Sequence, residues 1–297
     1  MDKIKIGYFA DGPWSHQAFD KIILDSGFEI QFICVRYDTK DDTLKNYCSK
    51  YKIDYFMHKN INSKDFLHKI APYDCDLFVS MSFNQIFKDK ILNMPRLKTI
   101  NCHAGKLPFY RGRNILNWVL INDEKDFGIT VHYMDIGIDT GDIILQKSFP
   151  ISDLDNYSTL LTRAYEGCAL LLYKSLKKIK TGTVKRVSQQ SIHSIGFYCS
   201  ERKQGDEILS WNMPSRNIFN FIRSISSPGP QARTFLGKNE VFINSAEYIH
   251  DAPNYIGIPG AVLKVDKSGL IIKTKDSFIR ILEWSCKSTI KVGDRLK

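Results

Sequence analysis

Long apolar runs are missing from this sequence: nowhere do ~18 consecutive apolar residues occur, which excludes a membrane-spanning helix on composition alone. There is no CxxC pair. The seven cysteines (34, 48, 75, 102, 168, 199 and 286) are odd in number and scattered, which points to buried thiols in a reducing cytoplasm and against a structural zinc site, so no metal is expected. No internal repeat or low-complexity tract is visible, and no run of five basic residues, although Lys and Arg outnumber Asp and Glu by 42 to 32. A net charge of +10 suits nucleic acid, anionic lipid or a phosphate-bearing small substrate. The densest basic patch, KSLKKIKTGTVKR, reads as the solvated face and end of a helix, so neither nucleic acid nor membrane is the expected partner. The opening MDKIKIGYFADG has an early Asp and no small-residue cleavage pattern, and reads as a first strand rather than a signal peptide.

What is present is an ordinary globular composition, 43% hydrophobic and 12% aromatic over 297 residues, enough for one large domain and a small one. Apolar, β-branched runs (IKIGYFA, FEIQFICV, DLFVSM, LKTINCH) alternate with segments of helical spacing (WSHQAFDKIILDSG, DTLKNYCSKYK, SKDFLHKIA, FNQIFKDKILNM). That alternation predicts an α/β fold with a mostly parallel sheet and helices on both faces. A helix NILNWVLIND, strands FGITVHYM and IILQKSFPI around the turn GIDTGD, and a long helix over about 156–180 complete the block. Boundaries are expected at 1–183 for this domain, 184–230 for a connector with the helix RNIFNFIRSI, and 231–297 for a small β-barrel of short strands separated by turn residues.

The segment INCHAGKLPFYRGRN, residues 100–114, is too polar for core and follows a strand. Ligands of open α/β sheets bind beyond the carboxyl ends of the strands, and alternation turns Asn101 and His103 to one side with Cys102 facing the core. A second polar turn, HYMDIGIDTGDII, places Asp139 at its apex. Asn, His and Asp together suit acyl transfer: an amide donor for a carbonyl becoming an oxyanion, a base for an attacking amine, and a carboxylate to orient the base.

NCHAGKLPFYRG, with the Asp of GIDTGD 38 residues after its Asn, resembles the formyltransferases that use N10-formyltetrahydrofolate, among them the methionyl-tRNA, glycinamide ribonucleotide and nucleotide-sugar enzymes. ILSWNMPSRNIFNFIRSISSPGPQA and GIPGAVLKV resemble the linker helix and C-terminal domain of the methionyl-tRNA and some sugar enzymes, so the likeness covers nearly the whole chain. The resemblance implies a Rossmann-like catalytic domain followed by an OB-like barrel, N10-formyltetrahydrofolate as formyl donor, and Asn101, His103 and Asp139 as the catalytic trio. It implies folate contacts from two loops, Ser82, Phe83, Asn84 and Ile86 in one and Met134, Asp135 and Gly137 in the other.

On the acceptor side, RGRNILNWVL in place of RGAAPI, and a short, Asp-bearing segment after the second strand in place of a long basic insertion, resemble the enzymes that formylate a nucleotide-linked amino sugar. The acceptor implied is a 4-amino-4,6-dideoxy sugar for a bacterial surface glycan, with methionyl-tRNA formylation as the alternative. The sugar, the amine position and the nucleotide (dTDP, UDP, GDP or CMP) stay open. Arg111 and Arg113 beside Gly112 are candidate phosphate donors. Trp14 is a candidate stacking residue or an edge-of-core aromatic, and Lys106 a substrate contact or a solvated lysine. Family members of this layout are often homodimers.

Overall fold

The computed structural model describes residues 3–297. In chain order its elements are β1 (Ile4–Ala10), α1 (Gly12–Ile23), β2 (Phe28–Val35), α2 (Asp42–Tyr51), β3 (Asp54–Met57), α3 (Lys64–Ile70), β4 (Leu77–Met81), α4 (Asp89–Leu92), β5 (Thr99–His103), β6 (Arg111–Gly112), α5 (Ile115–Ile121), β7 (Asp126–Tyr133), β8 (Ile143–Pro150), α6 (Tyr157–Lys180), β9 (Tyr198–Cys199), α7 (Ser215–Ser224), β10 (Ala232–Leu236), β11 (Asn239–Glu247), β12 (Val262–Asp266), β13 (Gly269–Lys273) and β14 (Phe278–Cys286). Two compact units result. The first comprises residues 1–112, 127–149 and 162–198; the second comprises 113–126, 150–161 and 199–297.

The first unit is built on a seven-stranded sheet in the order β3-β2-β1-β4-β5-β7-β8. Strands β1 to β5 run parallel, and β7 runs antiparallel to β5. The central strands are apolar throughout because both faces are covered: β4, LFVSM, is buried at every position. Helix α1 begins with Pro13 in its first turn and buries Ser15, Ala18, Phe19 and Ile22, a single stripe at helical spacing. Helices α2 and α3 start where Asp41 and Ser63 accept hydrogen bonds from the Leu44 and Phe66 amides, the expected capping chemistry.

One sequence expectation fails in this unit. FNQIFKDKILNM, read as a helix, is helical only over Asp89–Leu92. Residues 82–88 remain a loop because side chains take over the backbone partners: Gln85 accepts from Ile61 N and donates to His58 O, and Asn62 accepts from Lys88 N. Ser82 enters this loop in the left-handed region, φ 58°. Strands β3 and β10 are additions that the sequence reading did not contain.

The second unit carries a five-stranded antiparallel sheet, β10-β11-β14-β13-β12. The chain end closes it as a small barrel, since Leu296 bridges to Leu236 on β10 while Arg295 bridges to Ala261 just before β12. Its core gathers Trp211, Ile218 and Ile222 with Val241, Ile243, Ile272 and Ile281.

Candidate active site

The site forms on the paired stretch of β5 and β7 in the first unit. Antiparallel register sets Asn101 opposite His132 and His103 opposite Thr130, so these four side chains share one face of the sheet. Cys102, between the first pair, points the other way and donates to Cys168 O. The turn after β7 then brings Asp139 back over the pair.

Each imidazole is anchored tightly at one nitrogen and loosely at the other. His103 Nε2 lies 2.7 Å from Tyr110 O, and because a carbonyl only accepts, Nε2 carries the proton. Nδ1 is left as the basic nitrogen, 3.7 Å from Asp139 Oδ2. His132 Nδ1 likewise donates to Tyr133 O at 2.7 Å, leaving its Nε2 as an acceptor 3.3 Å from Asn101 Nδ2 and 3.5 Å from Asp139 Oδ1. Asn101 Nδ2 is also 3.4 Å from Asp139 Oδ1. Asp139 has one close partner, Gly112 N at 3.0 Å.

Only 12% of the Asp139 side chain is exposed. Burial alone would raise its pKa, but a positive charge on the His103 imidazole when it is protonated, the His132 imidazole and the Gly112 N–H outweigh it and hold the carboxyl well below the usual carboxylate range. Asp139 is therefore an anion throughout the physiological range. An anion at this position can stabilise an imidazolium formed on His103 Nδ1.

Two residues of the site also carry backbone strain. Asp139 (φ 55°) and Tyr110 (φ 56°) both occupy the left-handed region, each at a cost of about 1 kcal/mol for a side chain other than glycine. One net hydrogen bond contributes about as much, so only a few bonds to these turns decide whether they persist. Gly105 is required for room: a Cβ there would collide with His103 Nε2 and Tyr110 O.

The expected folate loops flank one wall. Phe83 and Met134 both pack on the aromatic cluster of Phe9, Phe78 and Phe87. Phe83 meets Phe9 edge-on at 5.6 Å. Ile86, by contrast, is 64% exposed, as are Ile136 (81%) and Ile138 (53%) beside Asp139. Asp135 accepts from Gly137 N at 3.0 Å and Thr140 Oγ1 at 2.5 Å, which shapes the turn. Asn84 donates to Asp38 at 3.0 Å, and its Oδ1 is buried with no donor.

The expected acceptor-side residues divide. Arg111, read as a phosphate donor, is instead buried and committed to protein oxygens: Nε and Nη2 reach Gln189 Oε1 at 3.1 and 2.7 Å, and Nη1 reaches Ile195 O at 3.1 Å. Arg113 is exposed and paired with Glu201 at 2.5 Å. Gly112 contributes its amide to Asp139. Trp14 packs edge-on to Tyr165 at 4.6 Å, the edge-of-core placement. Lys106 is half-buried beside Gly128, whose missing Cβ leaves space for it. A polar cavity of about 490 Å³ opens on the far side of the Asp139 turn, lined by Arg111, Tyr133, Asp135, Asp142, Gln189 and Ser194 among others.

His132 and Gln189 were not among the sequence candidates for the site. His132 had a signal, since its strand FGITVHYM alternates and must pair with a neighbour; Gln189 had none. Among the described residues no cluster of three or more His, Cys, Asp or Glu is placed to hold a metal, and no helix is long and apolar enough to cross a membrane.

The formyl transferase family profile matches residues 24–172, and that for the formyl transferase C-terminal domain matches residues 202–296. Methionyl-tRNA formyltransferase of Staphylococcus aureus (strain JH1) is 32% identical over 234 residues, covering 79% of this chain and 74% of the relative. Among solved structures, WlaRD, a sugar 3N-formyl transferase crystallised with dTDP and 5-N-formyl-THF, superposes with a TM-score of 0.72 at 21% identity, over 98% of this chain and 100% of that one. The N-formyltransferase of Helicobacter canadensis, in complex with folinic acid and dTDP-3-aminofucose, gives 0.65 at 21% identity over 96% and 100%. By the match of both domains and by this degree of identity, the chain belongs to the formyl transferase family.

Proposed function

We propose that the protein transfers a formyl group from N10-formyltetrahydrofolate to the amine of a nucleotide-linked amino sugar. The observation that carries the chemistry is the convergence of Asn101, His103 and Asp139 within 3.4 to 3.7 Å contacts at the end of β5. The folate supplies a formyl carbon already activated on nitrogen. The acceptor amine attacks that carbon, a new C–N bond forms, and the bond to the folate nitrogen breaks. Asn101 Nδ2, held only by long contacts, turns its N–H to the carbonyl oxygen as charge gathers there. His103 Nδ1 takes the amine proton and returns it to the leaving folate nitrogen, while Asp139 stabilises the imidazolium between the two steps.

The residues present fit the folate. Phe83 and Met134 offer an apolar wall on the Phe9 cluster, and Asn84 Oδ1 is a buried acceptor awaiting an N–H donor, which a pterin supplies. Ser82, Asp135 and Gly137 shape the two loops, with Ile86 exposed at the rim.

The acceptor is read as a sugar because the stretch between β2 and α2 is short and carries as many Asp as basic residues. Arg36 there is paired to Asp38 at 2.9 Å, and Asp41 and Asp42 follow, a poor surface for a phosphate backbone. Sugar acceptors named for the two structural neighbours support this reading. The product would be a building block for a bacterial surface glycan, with a 4-amino-4,6-dideoxy sugar as the first acceptor to test. The 32% identity to methionyl-tRNA formyltransferase supports the second reading, initiator-tRNA formylation. Purified protein with N10-formyltetrahydrofolate and a panel of dTDP-, UDP-, GDP- and CMP-linked 3-amino and 4-amino sugars, alongside charged initiator tRNA, separates the two. Formylation of a sugar and not of tRNA supports the proposal; formylation of tRNA alone refutes it.

A further inference from the structure

The Asp139 turn is held from behind by one side chain. Gln189, 3% exposed, uses its whole amide: Nε2 donates to Asp139 O and to Gly141 O, both at 2.8 Å, and Oε1 accepts from Arg111 Nε and Nη2. Only a carboxamide meets that demand, since it must accept from a guanidinium and donate to two carbonyls at once. One of those carbonyls belongs to Asp139 itself, the residue strained into the left-handed region. The segment carrying Gln189 grips the opposite side of the site as well. Arg111 N donates to Phe197 O at 3.2 Å and Phe197 N donates to Pro108 O at 3.3 Å, fixing the stretch that presents Tyr110 O to His103 and Gly112 N to Asp139.

We propose that Gln189 is a positioning residue for the reaction, seating the Asp139 carboxylate against the two imidazoles, with Arg111 bracing it and residues 188–198 acting as a strap across both halves of the site. This rests on the reading of Asp139 given above. Arg111 is thereby explained as a brace for Gln189. No contact of Gln189 with substrate is required.

The test compares Gln189→Ala and Gln189→Glu with the parent protein. Gln189→Glu keeps the length and the acceptor for Arg111 while removing both donors, and it carries the test if Gln189→Ala does not fold. We expect kcat to fall about tenfold or more with KM for both substrates within about twofold, the signature of a group that acts on the reaction step rather than on binding. We also expect the ¹³C signal of the Asp139 carboxyl carbon to titrate at higher pH than in the parent, because the carboxylate leaves the imidazoles and the Gly112 N–H that keep it ionised. Melting temperatures close to the parent's show that the fold is kept. An unmoved Asp139 titration with unchanged kcat, or a loss confined to KM, overturns the proposal. Asp139→Asn, assayed alongside, separates the two layers: parental turnover there overturns the reading of the cluster and this inference with it. Loss of turnover in Asp139→Asn with intact Gln189 variants overturns only the role of Gln189.

Discussion

The two units each hold buried charge, and they hold it differently. In the second unit Lys273 is 1% exposed, and its Nζ donates to Tyr255 O, Thr274 O and Ser277 O at 2.8, 2.8 and 3.0 Å, with the Tyr255 ring 4.2 Å away. Arg216 in the same unit binds Asp123 and Asp153 through four contacts of 2.5 to 3.0 Å. The Lys273 ammonium and the Arg216 guanidinium nitrogens each have a close acceptor. In the first unit the contacts of Asp139 with Asn101, His103 and His132 lie between 3.4 and 3.7 Å. Saturated networks stabilise a fold and have nothing left to give. The loose cluster retains an amide donor, a basic nitrogen and a carboxylate that can tighten on an incoming group, as catalytic hydrogen bonds do.

That contrast is sharpest if substitutions in the two networks fail in opposite ways. His103→Ala and Asp139→Asn should each lower turnover by roughly 10² to 10⁴, the range for losing a general base or its partner, with a loss of stability far smaller than the loss of rate. Steady-state rates paired with thermal melts check this, and a fall in stability matching the fall in rate would erase the distinction. Asn101→Ala should raise the barrier by about 2.7 to 4 kcal/mol, as for one oxyanion donor. Single-turnover kinetics read it directly, and a rate within twofold of the parent removes Asn101 from that role. Lys273→Met should do the reverse, leaving turnover per folded molecule intact while taking the ammonium donor from the carbonyls of Tyr255, Thr274 and Ser277, of which Ser277 O keeps the Thr274 N–H, and costing about 1 to 3 kcal/mol in urea denaturation.

The smallest effect expected is a pH dependence in the second unit. Burial would raise the Asp123 pKa, but its bonds to Arg216, Asn220 and Lys125 outweigh it and lower the value to about 2. A carboxylate depressed on folding contributes stability that is fully present above its unfolded pKa of about 3.9 and is lost as pH falls through the folded value. Acid denaturation of the parent should therefore steepen between pH ~4 and ~2, and Asp123→Asn should flatten that stretch. Equal curves for the two proteins would place the acid sensitivity elsewhere.

The same contrast explains what could be read from the sequence. Asn101, His103 and Asp139 were legible because strand alternation turns 101 and 103 the same way and because NCHAGKLPFYRG with the Asp of GIDTGD resembles a family motif; polar residues at a strand end or a turn have local structural reasons of their own. His132 stayed hidden behind a local alternative, a hydrogen bond to its neighbour's carbonyl, and the structure shows it making that bond with one nitrogen while the other faces Asp139. Gln189 lies 50 residues from the turn it holds, and no periodicity marks such a partner. Arg111 misled for a related reason: an arginine beside a glycine looks available until a distant glutamine and a distant carbonyl claim it. In the fold, alternation of strands and helices disclosed the sheet, whereas 82–88 carried helical spacing at Phe83, Ile86 and Phe87 and was kept irregular by Gln85 and Asn62, whose tertiary bonds no local pattern reveals.

A crystal structure with a non-reactive formyl-folate analogue and an amino-sugar nucleotide measures the central arrangement most directly. The expected result is the formyl oxygen within hydrogen-bond reach of Asn101 Nδ2, and the acceptor amine facing His103 Nδ1 on the side that Asp139 closes. A formyl group bound with its carbon away from all three side chains would contradict it.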